Sequence, residues 1–197
     1  MPAHTSAFSK VRLGLFGGTF DPPHWGHYLA ARDALEALSL DRVIFLPCRL
    51  SPHKSGTRPT PAAGRLRMLK AMLRGEKWAE ISRWDMDRPG VCYSYLTAEA
   101  FSGLYPGAEL FWIMGSDQWE ALPRWKHPDR LAAVVHFAVF PRTEVPRPRR
   151  GMALHILPSR YDISATRIRE RLRRRLPIKG LVPDPVARYI QNQPHRP

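Results

Sequence analysis

Short continuous apolar runs alternate with helix-periodic stretches along almost the whole chain, and few folds accept that pattern. Residues 11–16 and 43–46, the latter halted by Pro47, read as strands buried on both faces. Residues 28–38 place Tyr28, Ala31, Leu35 and Leu38 on one helical face. Further along, 79–86, 110–114, 134–140 and 154–157 read as strands, while 64–73, 93–104, 164–176 and 185–190 read as helices. Strands separated by helices build βαβ units. The expected fold is therefore α/β: a Rossmann-like, doubly wound parallel sheet with helices on both faces. A polar tail, 1–10, is expected to precede one domain, 11–197. Ligands of such sheets sit beyond the carboxyl ends of the strands, so the residues after each strand carry the functional information.

Several classes are excluded first. No run of about 18 apolar residues exists, so no membrane span is expected. Residues 1–10 lack the apolar core of a signal peptide. Cys48 and Cys92 make neither a disulfide framework nor a CxxC metal site, and the expected location is the reducing cytoplasm. The net charge of +14 needs a reason. Arginine dominates the basic residues, and the window 142–175 nets +8 from eleven arginines against Glu144, Asp162 and Glu170. An Arg-rich surface explains this, and so does a phosphate-bearing partner, since guanidinium pairs with phosphate in bidentate fashion.

After the first strand stands Gly17-Gly18-Thr19-Phe20-Asp21-Pro22-Pro23-His24-Trp25-Gly26-His27, and then a helix. The glycines let backbone approach a ligand, and a helix start offers free N–H groups and a positive dipole end. The segment is neither GxxxxGK[ST] nor GxGxxG. His24 and His27, three apart, can face one ligand with Gly26 keeping the space open. Zinc needs further ligands that no neighbouring cluster supplies, so no metal site is expected. After the strand at 110–114 comes Gly115-Ser116-Asp117, where Asp117 either accepts from a ribose or caps the next helix. The third element is Ile163-Ser164-Ala165-Thr166-Arg167-Ile168-Arg169. Ser164 is a good N-cap, and Ile168, Leu172 and Leu176 form a core-facing stripe. Ser164, Thr166 and an arginine at this helix start suit a phosphate. Together the three elements describe a phosphate-rich ligand across the top of a parallel sheet. No covalent nucleophile with a paired base is evident, which favours direct attack with the protein supplying position and charge.

These residues resemble a known family. Segment 17–27 resembles the GGTFDPPHxGH signature of nucleotidyltransferases with the (H/T)xGH motif, and 163–169 resembles their ISxTxIR motif. Within that superfamily the chain is similar to the bacterial nicotinate-nucleotide adenylyltransferases, with further matches at Pro52-His53-Lys54, Arg65 with Met68, Gly115-Ser116-Asp117 with Trp125, and Val182-Pro183 with Val186 and Tyr189-Ile190. The resemblance implies the nucleotidyltransferase form of the fold and transfer of the adenylyl group of ATP to nicotinate mononucleotide, giving deamido-NAD and pyrophosphate without a covalent intermediate. It implies that His24, His27 and Arg169 act on the phosphates in catalysis. Gly17, Gly18, Thr19, Phe20, Asp117, Ser164 and Thr166 would bind ATP, with Asp117 on a ribose hydroxyl. Lys54, Ser94, Tyr95 and Trp125 would bind the mononucleotide, with Trp125 stacked on the pyridine ring and His53 beside Lys54. Mg²⁺ would accompany ATP.

One departure stands out. The family pattern SYT-x-x-T-L is met here, read from Ser94, by Ser94-Tyr95-Leu96, with Leu96 for the first Thr and Ala100 for the Leu. That bears on the choice of acid over amide. The rival within the superfamily is pantetheine-phosphate adenylyltransferase, which usually carries Thr-Asn-Gly-His where this chain has His24-Trp25-Gly26-His27. An Arg-rich nucleic-acid-binding side function of 142–175 is the alternative of a different class, although no nucleic-acid module is present there.

Overall fold

The computed structural model describes residues 10–50, 59–142 and 144–192. Six strands form one sheet: β1 (Arg12–Gly18), β2 (Arg42–Pro47), β3 (Ala79–Ile81), β4 (Glu109–Gly115), β5 (His136–Phe140) and β6 (Leu154–Ile156). They run parallel in the order β3-β2-β1-β4-β5-β6. The connecting helices are α1 (Trp25–Ala37), α2 (Ala62–Met72), α3 (Trp84–Asp87), α4 (Ser94–Leu104), α5 (Ser116–Ala121), α6 (Pro128–Ala132), α7 (Ala165–Arg173) and α8 (Asp184–Gln191). The expected doubly wound α/β fold is present.

Period-two alternation assigns each strand residue to one of two cores. Phe16, Val43, Phe45, Phe111, Ile113 and Ala138 face one side, under Ala30, Ala31 and Ala34 of α1, Met68 and Leu69 of α2, Ile168 of α7 and Val186 of α8. Leu13, Leu15, Ile44, Leu46, Trp112 and Phe137 face the other, under Ala98 and Phe101 of α4, Trp119 of α5 and Leu131 of α6. Both faces are covered, which is why the strands read as unbroken apolar runs. Each fully buried Leu, Ile or Phe contributes about 1.5–3 kcal/mol.

Two sequence expectations are corrected. The strand expected over 79–86 ends at Ile81. The Ser82 hydroxyl accepts the N–H of Trp84 at 3.3 Å, and Arg83 pairs with Asp87 at 2.6 Å, so the chain winds into α3 and buries Met86 from a helix. The helix expected to reach residue 176 ends at Arg173. Arg175 takes a left-handed φ of 56°, and the N–H of Leu176 returns to the carbonyl of Arg171 at 2.8 Å, a Schellman-type stop. Leu176 is consequently turned out of the stripe and exposed, while Ile168 stays fully buried. Helices α5 and α6, with a 3₁₀ turn at Leu122–Arg124 between them, fill a stretch for which the apolar pattern defined no complete helix.

Candidate active site

The strand order reverses between β1 and β4. Connections leave these neighbours for opposite faces and open a crevice beyond their carboxyl ends. A cleft of about 540 Å³ occupies that crevice. It brings together Gly17, Gly18, Thr19, Phe20, His24 and His27 after β1, Asp117 and Trp125 after β4, Ser164 and Thr166 at the start of α7, and Ser94 at the start of α4.

Two arginines hold the loop after β1. Arg65 of α2, 1% exposed, donates to the carbonyls of Thr19 at 2.7 Å, Cys48 at 2.8 Å and Thr60 at 2.9 Å. A buried cation without a carboxylate is tolerable only where several carbonyl dipoles converge on it. Here it ties β1, β2 and α2 together. Arg169 of α7 donates to the carbonyl of Asp21 at 2.6 Å and to the Thr166 hydroxyl at 3.2 Å. The Asp21 carboxylate accepts the N–H of Thr60 at 2.9 Å. Close packing favours glycine in this segment. A Cβ on Gly17 would stand 3.0 Å from the Trp112 ring, and one on Gly26 3.1 Å from Nδ1 of His24 and 3.2 Å from the Ile163 carbonyl.

His24 is the cap residue of α1, and its carbonyl accepts the N–H of His27 at 2.9 Å. Its ring is 1% exposed and stacks on the ring of His27, with centroids 3.7 Å apart and planes at 28°. Burial, reinforced by the charge of Arg142, pushes its pKa down to about 3. His24 is therefore neutral at neutral pH. The half-buried ring of His27 is braced edge-on by Phe20 at 4.9 Å and Phe16 at 6.0 Å.

On the opposite wall, Gly115 is the cap residue of α5 and no side chain caps the helix. Asp117 stands in the first turn and meets Arg142 at 3.4 Å, so of its two expected readings the helix cap is not the one realised. A Cβ on Gly115 would lie 2.5 Å from the Asp117 carboxylate, so glycine is what lets that side chain fold back over the strand end. Trp125 comes directly after the 3₁₀ turn, half-buried, its ring against the core beneath α4 and α5. At the start of α7, the Ser164 hydroxyl accepts the N–H of Arg167 at 3.2 Å. That is the expected cap, and it points the helix start into the cleft.

The start of α4 differs from expectation. Tyr95 is buried away from the cleft, its ring against His127 at 5.0 Å and beneath the Arg130 guanidinium at 4.5 Å. Cys92 and Ser94 line the cleft instead. The SYT-x-x-T-L pattern fits this geometry two residues earlier, as Cys92-Tyr93-Ser94, then Thr97 and Ala98. In that register Thr97 is the buried threonine, donating to the Asp85 carboxylate at 2.6 Å. Burial raises the Asp85 pKa, against the hydrogen bond from Thr97. Lys54 and His53 lie outside the described residues.

Sequence reasoning missed Arg142, Asp85 and Cys92 in the cleft. Arg142 stands just past the carboxyl end of β5, directly after Pro141, and strand ends of this kind are where such a sheet places its ligand contacts. Among the described residues no three His, Cys, Asp or Glu side chains converge as a metal cage. A divalent ion carried on nucleotide phosphates needs none, because Mg²⁺ takes most of its ligands from phosphate and water.

Comparison with known proteins bears on this site. A family model described as cytidylyltransferase-like matches residues 15–171. A probable nicotinate-nucleotide adenylyltransferase of Methylacidiphilum infernorum (isolate V4) is 43% identical over 185 residues, covering 93% of this chain and 91% of that protein. The nicotinate-nucleotide adenylyltransferase of Bacillus subtilis (strain 168) is 34% identical, covering 91% of this chain and 95% of that protein. Among solved structures, Plasmodium falciparum nicotinic acid mononucleotide adenylyltransferase complexed with NaAD has the same fold, with a TM-score of 0.75 at 16% identity, covering 92% of this chain and 95% of that one.

Proposed function

This chain belongs to the cytidylyltransferase-like family and to its nicotinate-nucleotide adenylyltransferases, and from that membership we propose that the cleft is the active site for adenylyl transfer from ATP to nicotinate mononucleotide. The chain is a nucleotidyltransferase of NAD biosynthesis. The phosphate of the mononucleotide attacks the α-phosphorus of ATP in line, the bond to the β-phosphate breaks, and pyrophosphate leaves with the electron pair. A phosphate is already anionic near neutral pH, so no base has to activate it. The barrier lies in bringing several negative charges together.

The observation that carries this reading is the 2.6 Å bond from Arg169 to the Asp21 carbonyl, which unites the two phosphate-suited segments at the switch point of the sheet. In this reading His24 and His27 donate to the phosphates. Gly17, Gly18, Thr19 and Phe20 offer backbone to the nucleotides. Ser164, Thr166 and Arg169 bind the triphosphate at the positive end of α7. Asp117 accepts from the ribose, and Trp125 stacks on the pyridine ring. Ser94 and its neighbours at the start of α4 bind the mononucleotide, Tyr95 contributing backbone, and Lys54 adds a phosphate contact. Mg²⁺ enters with ATP and offsets phosphate charge. No described helix is long and apolar enough to cross a membrane, and we assign the chain to the cytoplasm.

The test is pyrophosphate release from ATP and Mg²⁺ with nicotinate mononucleotide, nicotinamide mononucleotide or phosphopantetheine as acceptor. Turnover is expected to be fastest with nicotinate mononucleotide. Turnover with phosphopantetheine alone overturns the reading.

A further inference from the structure

We propose that Arg142 is a catalytic residue that contacts the α-phosphate of ATP, an inference that rests on the adenylyl-transfer reading above. Its backbone is fixed: the N–H of Arg142 donates to the hydroxyl of Ser116 at 3.0 Å, and Ser116 is 2% exposed. The guanidinium lies over the Phe140 ring, 5.3 Å from its centroid, and lines the cleft. Its bond to the Asp117 carboxylate is 3.4 Å long, well beyond the roughly 2.7–2.9 Å of a strong charge-assisted contact. Nε is buried against Gly115, and among the described residues the terminal nitrogens make only this one long bond. This cation retains donor capacity for a ligand. Arg169 is tethered by one bond from each terminal nitrogen, to Asp21 and Thr166, and offers a ligand only its remaining N–H groups.

Position supplies the rest. Arg142 shares the cleft with both anchors: it pairs with Asp117 at 3.4 Å, and its charge reaches His24. With the ribose at Asp117 and the polyphosphate at His24 and the start of α7, the group between the two anchors is the α-phosphate. Chemistry occurs there: the bond from the acceptor phosphate forms and the bond to the β-phosphate breaks. A planar, permanently charged fork suits the non-bridging oxygens of that centre.

The experiment compares the wild type with Arg142→Ala and Arg142→Lys. Arg142→Ala should lower kcat roughly 100-fold and raise the Kd for ATP, measured calorimetrically without acceptor, roughly tenfold. The preference between the two diastereomers of ATP bearing sulfur on the α-phosphate should collapse in Arg142→Ala and survive in Asp117→Asn, which removes the charge of the neighbouring acid. Arg142→Lys, which keeps charge but loses the fork, should fall between wild type and Arg142→Ala. It replaces that variant if circular dichroism shows Arg142→Ala unfolded. An unchanged diastereomer preference, or ATP affinity and kcat both within threefold of wild type, overturns the assignment. A wild type that binds ATP yet releases no pyrophosphate with nicotinate mononucleotide defeats the acceptor reading. Arg142 is then judged by ATP affinity alone, where an unchanged Kd in the variant overturns it.

Discussion

The imidazoles of His24 and His27 lie face to face with centroids 3.7 Å apart. Two cations at that separation would repel strongly, and burial resolves the conflict by holding His24 neutral. The pair is therefore held in place before any ligand arrives, with His24 locked by packing and His27 braced by Phe16 and Phe20.

His27→Ala should fold normally and lose roughly two to three powers of ten in adenylyl transfer, the usual cost of one transition-state contact. Pyrophosphate release and circular dichroism check the two halves of that statement. Near-normal turnover would remove His27 from the catalytic machinery.

The pKa of His24 has a consequence for stability. Its folded value, about 3, lies below the ordinary 6.5, so the unfolded chain binds more protons between those limits. The stability associated with a neutral His24 is complete above about pH 6.5 and drains away as pH falls toward about 3. Urea midpoints at pH 7 and pH 5 should therefore drop more in the wild type than in His24→Asn. Equal drops in both proteins contradict this assignment.

Trp125→Ala should raise the KM for nicotinate mononucleotide about tenfold or more while leaving that for ATP within about twofold, since aromatic stacking is worth roughly 1–3 kcal/mol. Steady-state kinetics with each substrate varied in turn decide it. Equal changes for both substrates would falsify the stacking role.

Gly26→Ala places a methyl 3.1 Å from the His24 ring and 3.2 Å from the Ile163 carbonyl. Overpacking of this kind costs about 1–3 kcal/mol, and here it also pushes α7 away from the histidines. Chemical denaturation should show the destabilisation, and kcat should fall with it. A variant of wild-type stability and rate would mean that the two elements are free to separate.

The fold was legible wherever apolar periodicity was unambiguous. β1, β2, β4 and β5 are unbroken hydrophobic runs because both faces of the sheet are covered, and nothing competes with that signal. Prediction failed where a local hydrogen bond outranks the pattern: Ser82 turns the chain into α3, and Arg175 stops α7. The cleft was legible where a motif is contiguous, as at 17–27 and 163–169. At the start of α4 it was not. The pattern was read from Ser94-Tyr95, whereas the burial of Tyr95 beneath Arg130 and the place of Cys92 and Ser94 in the cleft fit it two residues earlier, at Tyr93. Arg142 stayed hidden because its neighbour Asp117 is distant in sequence. The surplus arginines at 173–175 are exposed at the end of α7, and nothing in the cleft uses them.

The bond between Arg169 and Asp21 spans 148 residues of chain. During synthesis the loop after β1 leaves the ribosome early, whereas its fastener emerges only after the last strand of the sheet has been made. Closing so long an interval is entropically costly until intervening elements have docked. The sheet can assemble in order of synthesis, but the cleft acquires its final geometry only when α7 packs down. The cleft and nearly all of the core are thereby completed together.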